Sequence, residues 1–141
     1  MAGVVHTFGL YQWTAGLMTA SDTFKAILLT GHTPDKEDQF VSEIVADQIT
    51  EVYTRPTVAS VAVSYEAGKV KIDAADIENV LSLTDQELVS HVAIYKEVGT
   101  DATNVLLATV GGVPKFTGDG AGGSEDFPII WNALGFANLL T

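Results

Sequence analysis

The strongest constraint on how this chain folds lies between Val58 and Asp73, where apolar and polar residues alternate with a period of two. Ala59, Val61, Val63 and Tyr65 fall on one side and Ser60, Ala62 and Ser64 on the other, the pattern of a strand with one buried and one wet face. Ala67 and Gly68 supply a turn, after which Lys69 and Lys71 point outward against Val70 and Ile72. The result is an antiparallel hairpin whose edge is blunted by lysines.

Other segments repeat the strand signal. From Asp22 to Thr30, Phe24, Ala26 and Leu28 lie on one side and Ile27 and Leu29 on the other, so both faces are expected to be covered. Further strands are predicted at Val89 to Val98, Val105 to Val110, Asp126 to Trp131 and Leu134 to Leu140, separated by turn-rich stretches at 99–104, 111–124 and 132–133. The predicted fold is mainly β, an antiparallel sandwich or barrel-like domain of about seven strands with one or two short helices. Phe8, Tyr11, Ala15 and Met18 share one face of an N-terminal helix. A second helix is predicted over residues 36–48: Thr33, Pro34 and the acids Asp35, Glu37 and Asp38 have the chemistry of a helix start, and Phe40, Val41, Ile44, Val45 and Ile49 form a stripe. A chain of 141 residues is one domain, with residues 1–21 as an uncharged helix or arm and 22–141 as the β core.

Seven basic against 18 acidic residues leave a net charge of −11, which repels polyphosphate and makes nucleic acid a poor partner. At 47% apolar content the chain can bury a core, and with no cysteine it has no disulfide, thiolate metal site or cysteine nucleophile. The first 21 residues carry no charge, yet a secretory leader or membrane span is not expected, because the first cation is Lys25 and Gly3, His6, Gly9, Gln12 and Gly16 interrupt the apolar run.

The motifs that could carry chemistry lack their context. Gly118, Gly120 and Gly123 satisfy a dinucleotide-loop spacing, but no helix follows and Asp119, Glu125 and Asp126 would repel a phosphate, so a hairpin loop is the better reading. His6, His32 and His91 have no second histidine at ligand spacing, and His91, inside a strand, reads as a hydrogen-bonded structural imidazole. The acidic stretches 35–38 and 119–126 lack the order of a calcium loop. Ser124 lacks the closing glycine of a nucleophile elbow, and Thr84 with Glu87 forms a capping box that organises a corner. The chain therefore reads as non-enzymatic, with no cofactor and no metal.

More telling is where charge is missing: none in residues 1–21 and none in 127–141, while residues 22–126 hold all 25 charged side chains. Chain ends are ordinarily polar and exposed, so uncharged ends bearing aromatics are expected to be covered, either as a layer of the core or by a partner. Phe8, Tyr11, Trp13, Leu17, Met18, Phe136, Leu139 and Leu140 are the candidate protein interface.

The segments Asp22 to Thr30, Thr33 to Asp35, Glu51 to Arg55, Lys69 to Asp76, Val92 to Lys96 and Phe127 to Asn132 resemble small structural proteins of tailed bacteriophages, a likeness running from about Phe8 to Leu140. The resemblance implies a virion component made in the host cytoplasm, most plausibly a head decoration (cement) protein on the capsid exterior. It implies the major capsid protein lattice as partner and no catalytic residues, while homo-oligomer formation is an expectation from the uncharged ends. Two alternatives stay open: a tail, neck or fibre component, and a carbohydrate-binding or host-adhesion module stacking sugars on Tyr11, Trp13 or Tyr53.

Overall fold

Phe24 to Leu29 contains five apolar residues and no turn former, which suits a central strand buried on both faces. In a computed structural model, which describes residues 3–50, 53–66, 69–75, 82–83, 89–111, 125–126 and 137–138, it takes that position. The elements run β1 (Gly3–Val5), α1 (Thr7–Thr14), β2 (Phe24–Leu29), two 3-10 turns (Val41–Glu43 and Val45–Asp47), β3 (Thr57–Val58), β4 (Ala62–Glu66) and β5 (Lys69–Asp73). They continue with β6 (Ser82–Leu83), β7 (His91–Lys96), β8 (Val105–Gly111), β9 (Glu125–Asp126) and β10 (Ala137–Asn138). A five-stranded sheet has the order β1-β8-β7-β2-β3, a three-stranded sheet β10-β5-β4, and β6 pairs β9, with every pairing antiparallel. Neither sheet closes on itself among the described residues, so the fold is mainly β and sandwich-like rather than a closed barrel.

The two faces of the large sheet are covered differently. Phe24, Ala26, Leu28, Val92, Ile94, Leu107, Ala108 and Val110 form the main core, joined by Ile72 from β5 and by Val58, Val61 and Met18. On the opposite face Ile27, Leu29, Ala93, Tyr95 and Leu106 pack under Val41 and Ile44, with Val45 half-buried beside them. The alternation predicted for residues 22–30 is thus the observed one.

At the middle of the β7–β8 pair the partner of Ile94 is Ala108 but that of Tyr95 is Leu106, leaving Leu107 as a bulge. Leu107 and Ala108 both reach the main core, and the Leu107 carbonyl accepts the His6 amide at 2.9 Å. α1 begins there and lies against β8. Its Gly9 is fixed by this approach, because a Cβ would overlap the Leu106 carbonyl oxygen and stand 3.0 Å from Leu107 Cα.

Three predicted elements differ. The N-terminal stretch is not one helix: β1 is an edge strand of the large sheet, α1 stops at Thr14, and Gly16 (φ 75°) turns the chain, so Ala15 and Met18 leave the helix. The helix predicted over residues 36–48 is replaced by the two 3-10 turns. Its amides find distant carbonyls instead, Val41 N donating to Asn104 O and Ser42 N to Asp101 O, while Leu106 N donates to Gln39 O and Glu43 Oε2 accepts the Gln39 and Phe40 amides. β-branched Val41, Ile44, Val45 and Ile49 favour that extended, bridged path. The strand predicted from Val58 to Tyr65 is split at Ser60, whose φ of 57° turns the chain from one sheet into the other. The hairpin itself holds, with Ala62 opposite Asp73 and Glu66 opposite Lys69, and Ile72 is buried. Ala67, Gly68, the Thr84–Glu87 box, the glycine-rich 118–124 loop and most of the last two predicted strands lie outside the described residues.

Candidate protein-binding surface

The uncharged N-terminal segment folds across the end of the sandwich where β2 starts and β7 finishes. Trp13 leans on Phe24 with ring centroids 6.3 Å apart, and Phe8 meets Phe40 at 5.5 Å and Tyr11 at 6.3 Å. Beyond α1, the Leu17 and Met18 amides both donate to the Gln12 carbonyl, a tight return that drives Met18 into the core and leaves Leu17 outside. Lys96 Nζ locks the return by donating to Leu17 O at 2.7 Å, and it also stands 3.5 Å from Asp22. On the other face of the sheet, beside Tyr95, Lys25 pairs with Glu97 at 2.8 Å.

The structure sorts the sequence-predicted interface residues accordingly. Tyr11 is 57% exposed and Leu17 54%; Phe8 and Trp13 are half-buried against the main core. Met18, only 1% exposed, is corrected from interface to core, because the turn at Gly16 reverses it away from the helical face. Phe136, Leu139 and Leu140 lie outside the described residues. Sequence reasoning missed Val98, 56% exposed and two residues past Lys96 on the same end of the sheet. Its only signal was position, an apolar residue stranded between a strand end and Gly99. An exposed tyrosine, leucine and valine can bury apolar area against a protein, and the charge beside Leu17, on Lys96, is already matched by Asp22.

On the sheet face covered by the 3-10 turns, polar side chains form a clamp. Arg55 holds Asp101 through two bonds, 2.7 and 3.1 Å, donates to Gln48 Oε1 and to the Tyr95 hydroxyl, and lies over the Tyr95 ring. Burial opposes the guanidinium charge, but the bonds to Asp101 and Tyr95 more than offset it, so Arg55 stays protonated at any pH of interest. The bond to Arg55 holds the Asp101 carboxyl below the usual carboxylate range. Tyr53 donates to Gln48 Oε1 and accepts the Leu28 amide, and burial pushes its hydroxyl up to about 12. Of the three aromatics considered for sugar stacking, then, Tyr53 is tied into the clamp and Trp13 leans on the core, while Tyr11 stands exposed.

Two histidines far apart in sequence, His32 and His91, meet, and His6 lies near enough to His32 to feel its charge. His32 Nδ1 meets Asp47 Oδ2 at 2.8 Å, its ring stands edge-on to His91 at 5.8 Å, and Ser90 Oγ lies 2.9 Å from His91 Nδ1. His91 is thus hydrogen-bonded as a structural imidazole would be. The order needed to activate a serine is not assembled: the imidazole oriented by Asp47 is His32, and its Nε2 has no hydrogen-bond partner among the described residues. No group of three or more ligating side chains among the described residues is placed to hold a metal ion. No described helix is long and apolar enough to cross a membrane.

Compared with known protein families, curated proteins and solved structures, the chain matches none.

Proposed function

We propose that this chain is a non-enzymatic virion protein that binds the outside of a tailed-phage head shell and stabilises it, with the major capsid protein lattice as its partner. The observation that carries the reading is that, among the described residues, the large apolar side chains left exposed are Tyr11, Leu17 and Val98, two of them from the uncharged N-terminal segment, with Leu17 beside the Lys96–Asp22 pair. Apolar contact there supplies affinity for protein, and the net charge of −11 keeps free copies soluble and away from packaged DNA. The resemblance of these segments to small phage structural proteins supports the head location, and the uncharged ends support homo-oligomer formation. Each copy adds modest energy, and repetition over a lattice multiplies it.

The test is addition of the purified protein to undecorated heads. Saturable binding with a raised thermal rupture temperature supports the proposal. Heads that rupture at the same temperature with and without saturating protein contradict it, and a copy number matching a tail ring assigns the protein to the tail instead.

A further inference from the structure

His32, in the loop after β2, meets His91, the first residue of β7, with ring centroids 5.8 Å apart and planes at 77°. Each ring is held from behind at Nδ1. His32 Nδ1 lies 2.8 Å from Asp47 Oδ2, and a carboxylate at that distance accepts the ring N–H, which leaves Nε2 as a bare lone pair. That atom has no hydrogen-bond partner among the described residues, although the His32 side chain is only 4% exposed. An unpaired buried acceptor carries a cost that a ligand would remove. His91 Nδ1 lies 2.9 Å from Ser90 Oγ; with the Ser90 hydroxyl donated to the Leu29 carbonyl, its oxygen accepts the His91 N–H and the free lone pair is again at Nε2. Ligand spacing along the sequence could not show this pair, because tertiary structure brings it together.

We propose that His32 and His91 form a two-imidazole site for a divalent transition-metal ion such as zinc or nickel, each ligating through Nε2 with water completing the coordination. An ion about 2.0–2.1 Å from each nitrogen sits about 3.2 Å from each ring centroid, so two rings on one tetrahedral ion have centroids about 5.2 Å apart. The observed 5.8 Å is met by an N–metal–N angle of about 130°, or closed by a small turn of the half-buried His91 ring. A hydrogen-bonded group behind a ligating imidazole fixes its tautomer and orientation; Asp47 takes that place for His32 and Ser90 for His91. Asp47 is 47% exposed, so the pair lies at the edge of solvent. No third ligating side chain is in reach among the described residues, which leaves the other positions to water. The net charge of −11 favours a cation at the surface, and binding ties the loop to β7 and stabilises the folded chain by mass action.

The experiment is titration of the untagged full chain with zinc chloride at neutral pH, followed by calorimetry and by imidazole nitrogen NMR. The expected result is saturation at one ion per chain, with the His32 and His91 Nε2 signals moving together and those of His6 unmoved. His91→Gln is expected to abolish saturable binding. Asp47→Asn, which removes the charge behind His32 but no ligand, is expected to keep one ion per chain at about 10–100-fold lower affinity. No saturable uptake, uptake that leaves the imidazoles unmoved, or undiminished binding by His91→Gln would overturn the proposal. Should a variant not fold, the imidazole signals of the unmodified chain decide: joint movement of His32 and His91 supports the site, and anything short of it contradicts the site.

Discussion

The two faces of the five-stranded sheet are sealed by different physics. Beneath it, side chains alternating on regular strands meet a second sheet, so stability there comes from apolar volume. Above it, an irregular segment is held by named long-range bonds, Val41 N to Asn104 O, Ser42 N to Asp101 O and the Arg55 clamp, over a smaller apolar patch. The lower face should therefore respond to lost volume, and the upper face to lost polar partners and to pH.

The largest expected effect is on the lower face. Phe24→Ala removes a side chain 1% exposed and is expected to cost about 3–5 kcal/mol by urea unfolding. A cost below about 1 kcal/mol would mean that the core is not where the sheets meet. On the upper face Arg55→Leu strips partners from Asp101, Gln48 and the Tyr95 hydroxyl and is expected to cost about 1–3 kcal/mol, largely by leaving polar groups unsatisfied.

How much of this was legible depended on what each pattern encodes. The strands Phe24 to Leu29, His91 to Lys96 and Val105 to Gly111 were readable because a short, nearly continuous apolar run bounded by turn residues is a local signal of a strand buried on both faces. The apolar stripe of residues 40–49 correctly marked Val41, Ile44 and Ile49 as buried, but a stripe reports burial and not the partners of the backbone. Those partners, Asn104 and Asp101, lie some sixty residues away. The break at Ser60 was hidden for the same reason, since a serine with positive φ carries no signature in an alternating run. At the candidate surface the missing charge led to Tyr11 and Leu17. The turn that buries Met18, the strand end that exposes Val98, and the meeting of His32 with His91 depend on the assembled sheet.

A smaller effect separates the faces by pH. Asp101 sits below the ordinary carboxylate value because of its bond to Arg55. Its stabilisation is thus present above about pH 4 and is lost as pH falls through the depressed value. Asp101→Asn is expected to be less stable than the parent at pH 7, with the difference shrinking below pH 4. A constant difference from pH 7 to pH 3 would remove the charge from the clamp's role. The smallest effect belongs to the exposed end, where Tyr11→Ser and Leu17→Ser together are expected to change unfolding free energy by less than about 1 kcal/mol, because both side chains are more than half exposed.

That last pair of substitutions also gives the most direct test of the central claim, that the uncharged end exists to meet other protein. Copies bound per undecorated head should be counted for the parent and for the Tyr11→Ser, Leu17→Ser double variant at equal concentrations. The account predicts saturation for the parent and at least a tenfold weaker isotherm for an equally stable variant; indistinguishable isotherms would contradict it.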